Sequence, residues 1–103
     1  MTVRFAAAEL SEGGVKVVEI NGDEVAVFQR DRKLYALANR CPHSAGPLAL
    51  GPVEREGDDY EVACPWHGAR FRLSNGRCTF GPSTDVRAYS VRRENGEIVV
   101  DPS

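Results

Sequence analysis

Short β-rich runs separated by turn residues dominate the chain. Val15–Ile20 and Glu24–Gln29 flank Asn21-Gly22, Ala69–Leu73 and Arg77–Phe80 flank Asn75-Gly76, and Val86–Val91 and Glu97–Val100 flank Asn95-Gly96. Asn-Gly between two such runs is the strongest short-range hairpin signal, because these residues accept the positive φ of a tight turn. Lys33–Ala38 and Tyr60–Ala63 predict two further strands. Gly and Pro break every window long enough for a helix, so at most one helical turn is expected, near Ala7–Leu10. The pattern predicts an all-β fold, an antiparallel β-sandwich or barrel. From Asn39 to about Gly57 the alternation stops, and Pro42, Gly46, Pro47, Gly51 and Pro52 take over. A long loop without structure of its own inside a compact domain is usually functional.

That loop opens on chemistry. Cys41-Pro42-His43 offers a thiolate and an imidazole; twenty residues further on, Cys64-Pro65-Trp66-His67 offers the same pair. Both segments are stiffened by Pro and followed by Gly, so they predict turns, and two such turns at neighbouring hairpin tips could close over one metal centre. A zinc site of two Cys and two His usually takes a Cys pair and then a His pair, the latter on a helix. Here each segment is mixed and neither is helical. A [2Fe–2S] cluster held by two Cys on one iron and two His on the other fits better, though a structural zinc-binding module remains the rival of another class.

Size and charge narrow the setting. The chain has 103 residues, enough for one domain over 1–103, with 42% apolar and 27% charged residues. A net charge of −2 excludes the basic surface that nucleic acid requires. No apolar run approaches the roughly 20 residues that span a bilayer, and the N-terminus lacks an apolar signal region, so no membrane is expected and the default compartment is the cytoplasm. Three cysteines in such a chain point to metal or redox chemistry.

The two motifs, with the strands before the first and the Ser74-Asn75-Gly76 turn after the second, resemble those of the Rieske family, and the similarity covers most of the chain. The resemblance implies one [2Fe–2S] cluster per chain, with Cys41 and Cys64 on the inner iron and His43 and His67 on the outer one. It implies a cluster-binding subdomain at about residues 39–82. It also implies an electron carrier and not an enzyme, passing electrons from a reductase (flavin-containing in such systems) to a terminal oxygenase. The alternative is the small subunit of an assimilatory nitrite reductase. The respiratory branch of the family carries an extra Cys in each loop, joined as a disulfide; here those places hold Gly46 and Trp66. It also carries Ser and Tyr hydroxyls that bond to sulfur, and here Ala69 and Phe71 stand there. Such bonds favour the reduced state, so their loss predicts a potential near the low end of the Rieske range of roughly −150 to +300 mV.

The remaining candidates are minor. His43 and His67 are the two histidines, so ligation leaves none for a mononuclear iron or a general base. Cys78 reads as a small buried hydrophobe. Trp66 is expected to be partly exposed at the cluster tip, with Pro42, Pro47 and Leu48 completing an apolar rim. Arg87, Arg92 and Arg93 predict a solvated strand face.

Overall fold

The computed structural model describes residues 2–42, 45–81 and 84–102. Among them, eleven strands form three antiparallel sheets. The first sheet joins β1 (Val3–Ala6), β11 (Glu97–Val100) and β10 (Val91–Glu94), in that order. The second joins β2 (Val15–Ile20), β3 (Asp23–Arg30), β4 (Lys33–Ala38) and β9 (Ala88–Tyr89). The third joins β5 (Val53–Glu56), β6 (Asp59–Ala63), β7 (Arg70–Arg72) and β8 (Cys78–Phe80).

The second sheet is the middle layer, and β3 shows why. Successive side chains of a strand point to opposite faces. Val25 and Val27 join a core with Phe5, Ile98 and Val100 of the first sheet. Ala26 and Phe28 join a second core with Val62 and Phe71 of the third. A strand buried on both faces needs a continuous apolar run, and Val25-Ala26-Val27-Phe28 supplies it. β4 repeats the division, with Ala36 in the first core and Leu37 in the second. Truncating Phe28 to Ala would cost about 3–5 kcal/mol at such a site.

Two of the Asn-Gly hairpins have the backbone expected of them. Asn21 and Gly22 have φ of 52° and 86°, and Asn95 and Gly96 have 51° and 79°, as a two-residue turn of type I′ demands. The turn at Asn75-Gly76 is longer: Gly76 N–H donates to the Arg72 carbonyl at 2.8 Å, and the Asn75 side chain accepts from Arg77 N–H at 2.9 Å. The helical turn expected near Ala7–Leu10 is a 3-10 turn at Ala7–Glu9, and a second, at Leu48–Leu50, exceeds the one expected.

Three expectations need correction. The Asn95-Gly96 hairpin pairs β11 with Val91–Glu94, not with Val86–Val91. Of that earlier run, Ala88–Tyr89 pairs with β4, which draws it into the middle sheet. The region from Asn39 to Gly57 is not structureless throughout, since it ends in a 3-10 turn at Leu48–Leu50 and in β5. β1 was not expected at all; its partner β11 lies at the far end of the sequence.

One turn unites the layers. β3 and β4 are joined by Asp31 and Arg32, both at positive φ (53° and 65°) without a glycine. The Glu12 carboxylate accepts both of their backbone N–H groups, at 2.6 and 2.8 Å. The Asp31 carboxylate accepts a hydrogen bond from Tyr60 of β6 and lies 3.4 Å from Arg55 of β5. The arginines expected on a solvated face are exposed but partnered: Arg92 pairs with Asp101 at 2.5 Å, Arg93 reaches the Arg32 carbonyl at 2.7 Å, and Arg87 stacks over Tyr89 at 4.7 Å.

Candidate metal centre

The two Cys motifs fold into loops with the same backbone frame. In the first, Cys41 N–H donates to the Gly46 carbonyl at 2.9 Å, and Ala45 N–H donates to the Cys41 carbonyl at 2.7 Å. In the second, Cys64 N–H donates to the Ala69 carbonyl at 2.7 Å, and Gly68 N–H donates to the Cys64 carbonyl at 2.9 Å. Each loop thus closes on its cysteine at the same two spacings. Each also needs one residue in the left-handed region at the same place, Ala45 (φ 63°) in the first and Gly68 (φ 75°) in the second. Turning the chain this tightly sets the cysteine side chain inward and, in the second loop, lifts Pro65, Trp66 and His67 outward.

The burial follows that geometry. Cys41 and Cys64 are 1% and 2% exposed, neither is in a disulfide, and both belong to the core beneath the middle sheet. His67, three residues past Cys64, is exposed, as are Pro65 and Trp66. His43 lies outside the described residues. Among the described residues no three His, Cys, Asp or Glu side chains are grouped to hold a metal ion.

The loops touch at Gly46. A Cβ built there would lie 2.7 Å from Cys64 Sγ and 3.2 Å from Trp66 Cδ2. Only glycine allows the first loop to approach the second sulfur so closely. Gly46 and Trp66, the two positions named by the comparison with the respiratory branch, are therefore neighbours in space.

Each loop is tied to its surroundings differently. Asn39, 5% exposed, stitches the first: its carbonyl accepts from Leu48 N–H at 2.8 Å, its side-chain oxygen from Ala49 N–H at 2.7 Å, and its amide donates to Glu24 at 3.1 Å. The second loop is flanked by Arg70, which pairs with Glu54 and, at 3.3 Å, with the buried Glu61. Sequence reasoning missed Asn39 and Ala45. The spacing from Cys41 to Ala45, which equals that from Cys64 to Gly68, was the available signal for Ala45.

The apolar rim differs from expectation. Leu48 is fully buried, its side chain packed in the core with Cys41 and Cys64, so it cannot form a rim. Leu50, two residues on, is 76% exposed instead, with Trp66 at 62% and Phe80 at 65%. Pro42 is exposed and Pro47 half-buried. Ala69 and Phe71 are buried in the core beside the cysteines. Cys78 is partly buried against the same core, its thiol 3.5 Å from the Phe80 carbonyl.

Two buried thiols outside any disulfide, on matched loops, with an imidazole exposed beside one of them, form a donor set suited to an iron–sulfur cluster with mixed ligands. The Rieske-like [2Fe–2S] domain family matches residues 3–101, and the chain belongs to that family. It carries one [2Fe–2S] cluster and is an electron carrier of the ferredoxin type. It is 31% identical to the ferredoxin component of the naphthalene 1,2-dioxygenase system of Pseudomonas putida, over 100% of both chains. The ferredoxin of carbazole 1,9a-dioxygenase from Nocardioides aromaticivorans has a TM-score of 0.88 at 34% identity, covering 99% of this chain and 98% of that one. A putative NADH-dependent nitrite reductase small subunit from Mycobacterium tuberculosis has a TM-score of 0.83 at 28% identity, covering 97% and 95%. Among the described residues no helix is long and apolar enough to cross a membrane.

Proposed function

We propose that Cys41 and Cys64 hold the inner iron of the cluster and that His43 and His67 hold the outer one, within a cluster-binding subdomain at about residues 39–82 of a single domain spanning 1–103. The observation that carries this is the contrast between two buried thiols and an exposed His67 on loops of one backbone frame. The sheet β5–β8 lies wholly within the proposed subdomain. The cluster supplies reversible uptake of one electron. The chain's own part is to fix the two thiolates in a dry core and to present the imidazole edge to a partner.

The partner in this reading is the terminal oxygenase of an aromatic-ring dioxygenase system, with a flavin-containing reductase as the electron source. Support comes from the dioxygenase ferredoxins that match the whole chain. The similarity to a nitrite reductase small subunit is the alternative, at lower identity. Electron transfer from the reduced protein to each type of acceptor separates the two.

The metal content tests the ligand set. Purified protein is expected to contain two irons and two acid-labile sulfides per chain and to show the EPR signal of a mixed-ligand cluster on reduction. One zinc and no sulfide would overturn the reading. Because Ala69 and Phe71 bring no hydroxyl to the core beside the cysteines, voltammetry is expected to place the potential near the low end of the Rieske range.

A further inference from the structure

We propose that Trp66 is the cover that keeps water from Cys64 Sγ, and that the glycine at residue 46, which the nearness of the sulfur itself demands, also lets this cover close. The inference rests on the ligand role of Cys64 proposed above and goes beyond it.

The contact at Gly46 carries the argument. The sulfur of Cys64 and the root of the Trp66 indole (Cγ and Cδ2) border one small space, the place a Cβ on residue 46 would fill, at 2.7, 3.3 and 3.2 Å. Sulfur and indole are therefore no further apart than two of those distances laid end to end. One side of the indole faces this space, yet the residue as a whole is 62% exposed while Cys64 is only 2% exposed. The ring is thus a boundary with solvent on one side and a buried sulfur on the other. Leu50 and Phe80 are as exposed, but the three atoms nearest the Gly46 position belong to Cys64 and Trp66.

Such a boundary has an electrostatic effect. With neutral imidazoles, two ferric ions, two sulfides and two thiolates sum to zero, and reduction adds one negative charge. Water stabilises the charged form more than apolar surroundings do. A cover over the sulfur therefore holds the potential down and slows attack by water and oxidants. The low potential then has a second cause besides the missing hydroxyls.

The test uses the cluster-loaded protein and Trp66→Phe, Trp66→Leu and Trp66→Ala, with Leu50→Ala as an exposed apolar control. Three quantities are measured: the potential by protein-film voltammetry, the deuterium modulation of the reduced EPR signal in D2O, and the rate of bleaching in air. Expected is a graded rise in all three from Phe to Ala, reaching about tenfold in the reduction constant, or ~59 mV, for Trp66→Ala. Leu50→Ala is expected to match the wild type. If Trp66→Ala does not load, the Phe and Leu variants carry the same ordering. Wild-type values in every loaded Trp66 variant would overturn the proposal. A change confined to electron transfer to the oxygenase would also overturn it, making Trp66 a docking residue. Failure of the underlying ligand reading has a different signature, namely a Cys64→Ala variant that keeps the wild-type cluster spectrum.

Discussion

The first and second Cys loops share their hydrogen-bonded frame, yet they solve the same problem with different means. The second meets the left-handed position with Gly68, which pays no steric penalty there. The first meets it with Ala45, and holds this less favourable conformation through the hydrogen bonds made by Asn39 and the contact of Gly46 with Cys64. The second loop is set by its own sequence, and the first by what surrounds it. The histidines add a further offset: His43 stands two residues past its cysteine and His67 three, on frames that are otherwise equivalent.

The largest test of that equivalence removes the sulfurs. Cys41→Ala and Cys64→Ala are each expected to abolish the visible absorption of the cluster and to loosen the fold, because a bound metal centre cross-links the loops. A cluster retained in one variant alone would show that the two loops are not equal partners. Next in size is Asn39→Ala, which leaves the partly buried Ala49 N–H without its acceptor. Such a loss costs about 1–3 kcal/mol, and each kcal/mol lowers the melting temperature by roughly 4–8 °C in a domain near this size. Thermal unfolding of the loaded protein measures it.

A smaller test reverses sign between the loops. Ala45→Gly relieves a left-handed alanine and is expected to be neutral or stabilising by up to ~1 kcal/mol. Gly68→Ala, in open space but at the same φ, is expected to destabilise by about 1 kcal/mol. Denaturant titration of both variants checks this, and the same sign in both would break the comparison.

The smallest effect concerns pH. Tyr60, on the strand leading to the second loop, has its phenol held above the ordinary tyrosine value, chiefly by its hydrogen bond to Asp31 and then by burial. A pKa raised in the folded state gives stability that is full below the unfolded value, near 10, and is lost as pH rises through the folded value. Wild type should therefore lose stability in that alkaline window, and Tyr60→Phe should lose less. Parallel alkaline profiles for the two proteins would remove Tyr60 as the cause.

What could be read in the sequence divides along the same line as the loops. Local signals were legible: the Cys and His spacings, the Asn-Gly turns, and strands such as Lys33–Ala38, whose ends match β4. Features that depend on distant residues were not. β1 pairs across nearly the whole chain with β11, and Asp31-Arg32 turns without glycine because Glu12 captures both amides. Leu48 was placed on the surface because its burial depends on Asn39, nine residues earlier, which turns the chain back into the core.

The middle sheet also sets an order of assembly. Both ligand cysteines are synthesised before Ala88–Tyr89, and that strand completes the layer on which both loops stand. β10 and β11, which cover its other face, come later still. Chains whose contacts join distant segments must be nearly whole before those contacts form. A nascent chain thus exposes two sulfur donors without the platform that positions them. Iron and sulfide supplied at that stage would meet mobile thiols, so maturation of this carrier belongs after synthesis, as the last step of folding.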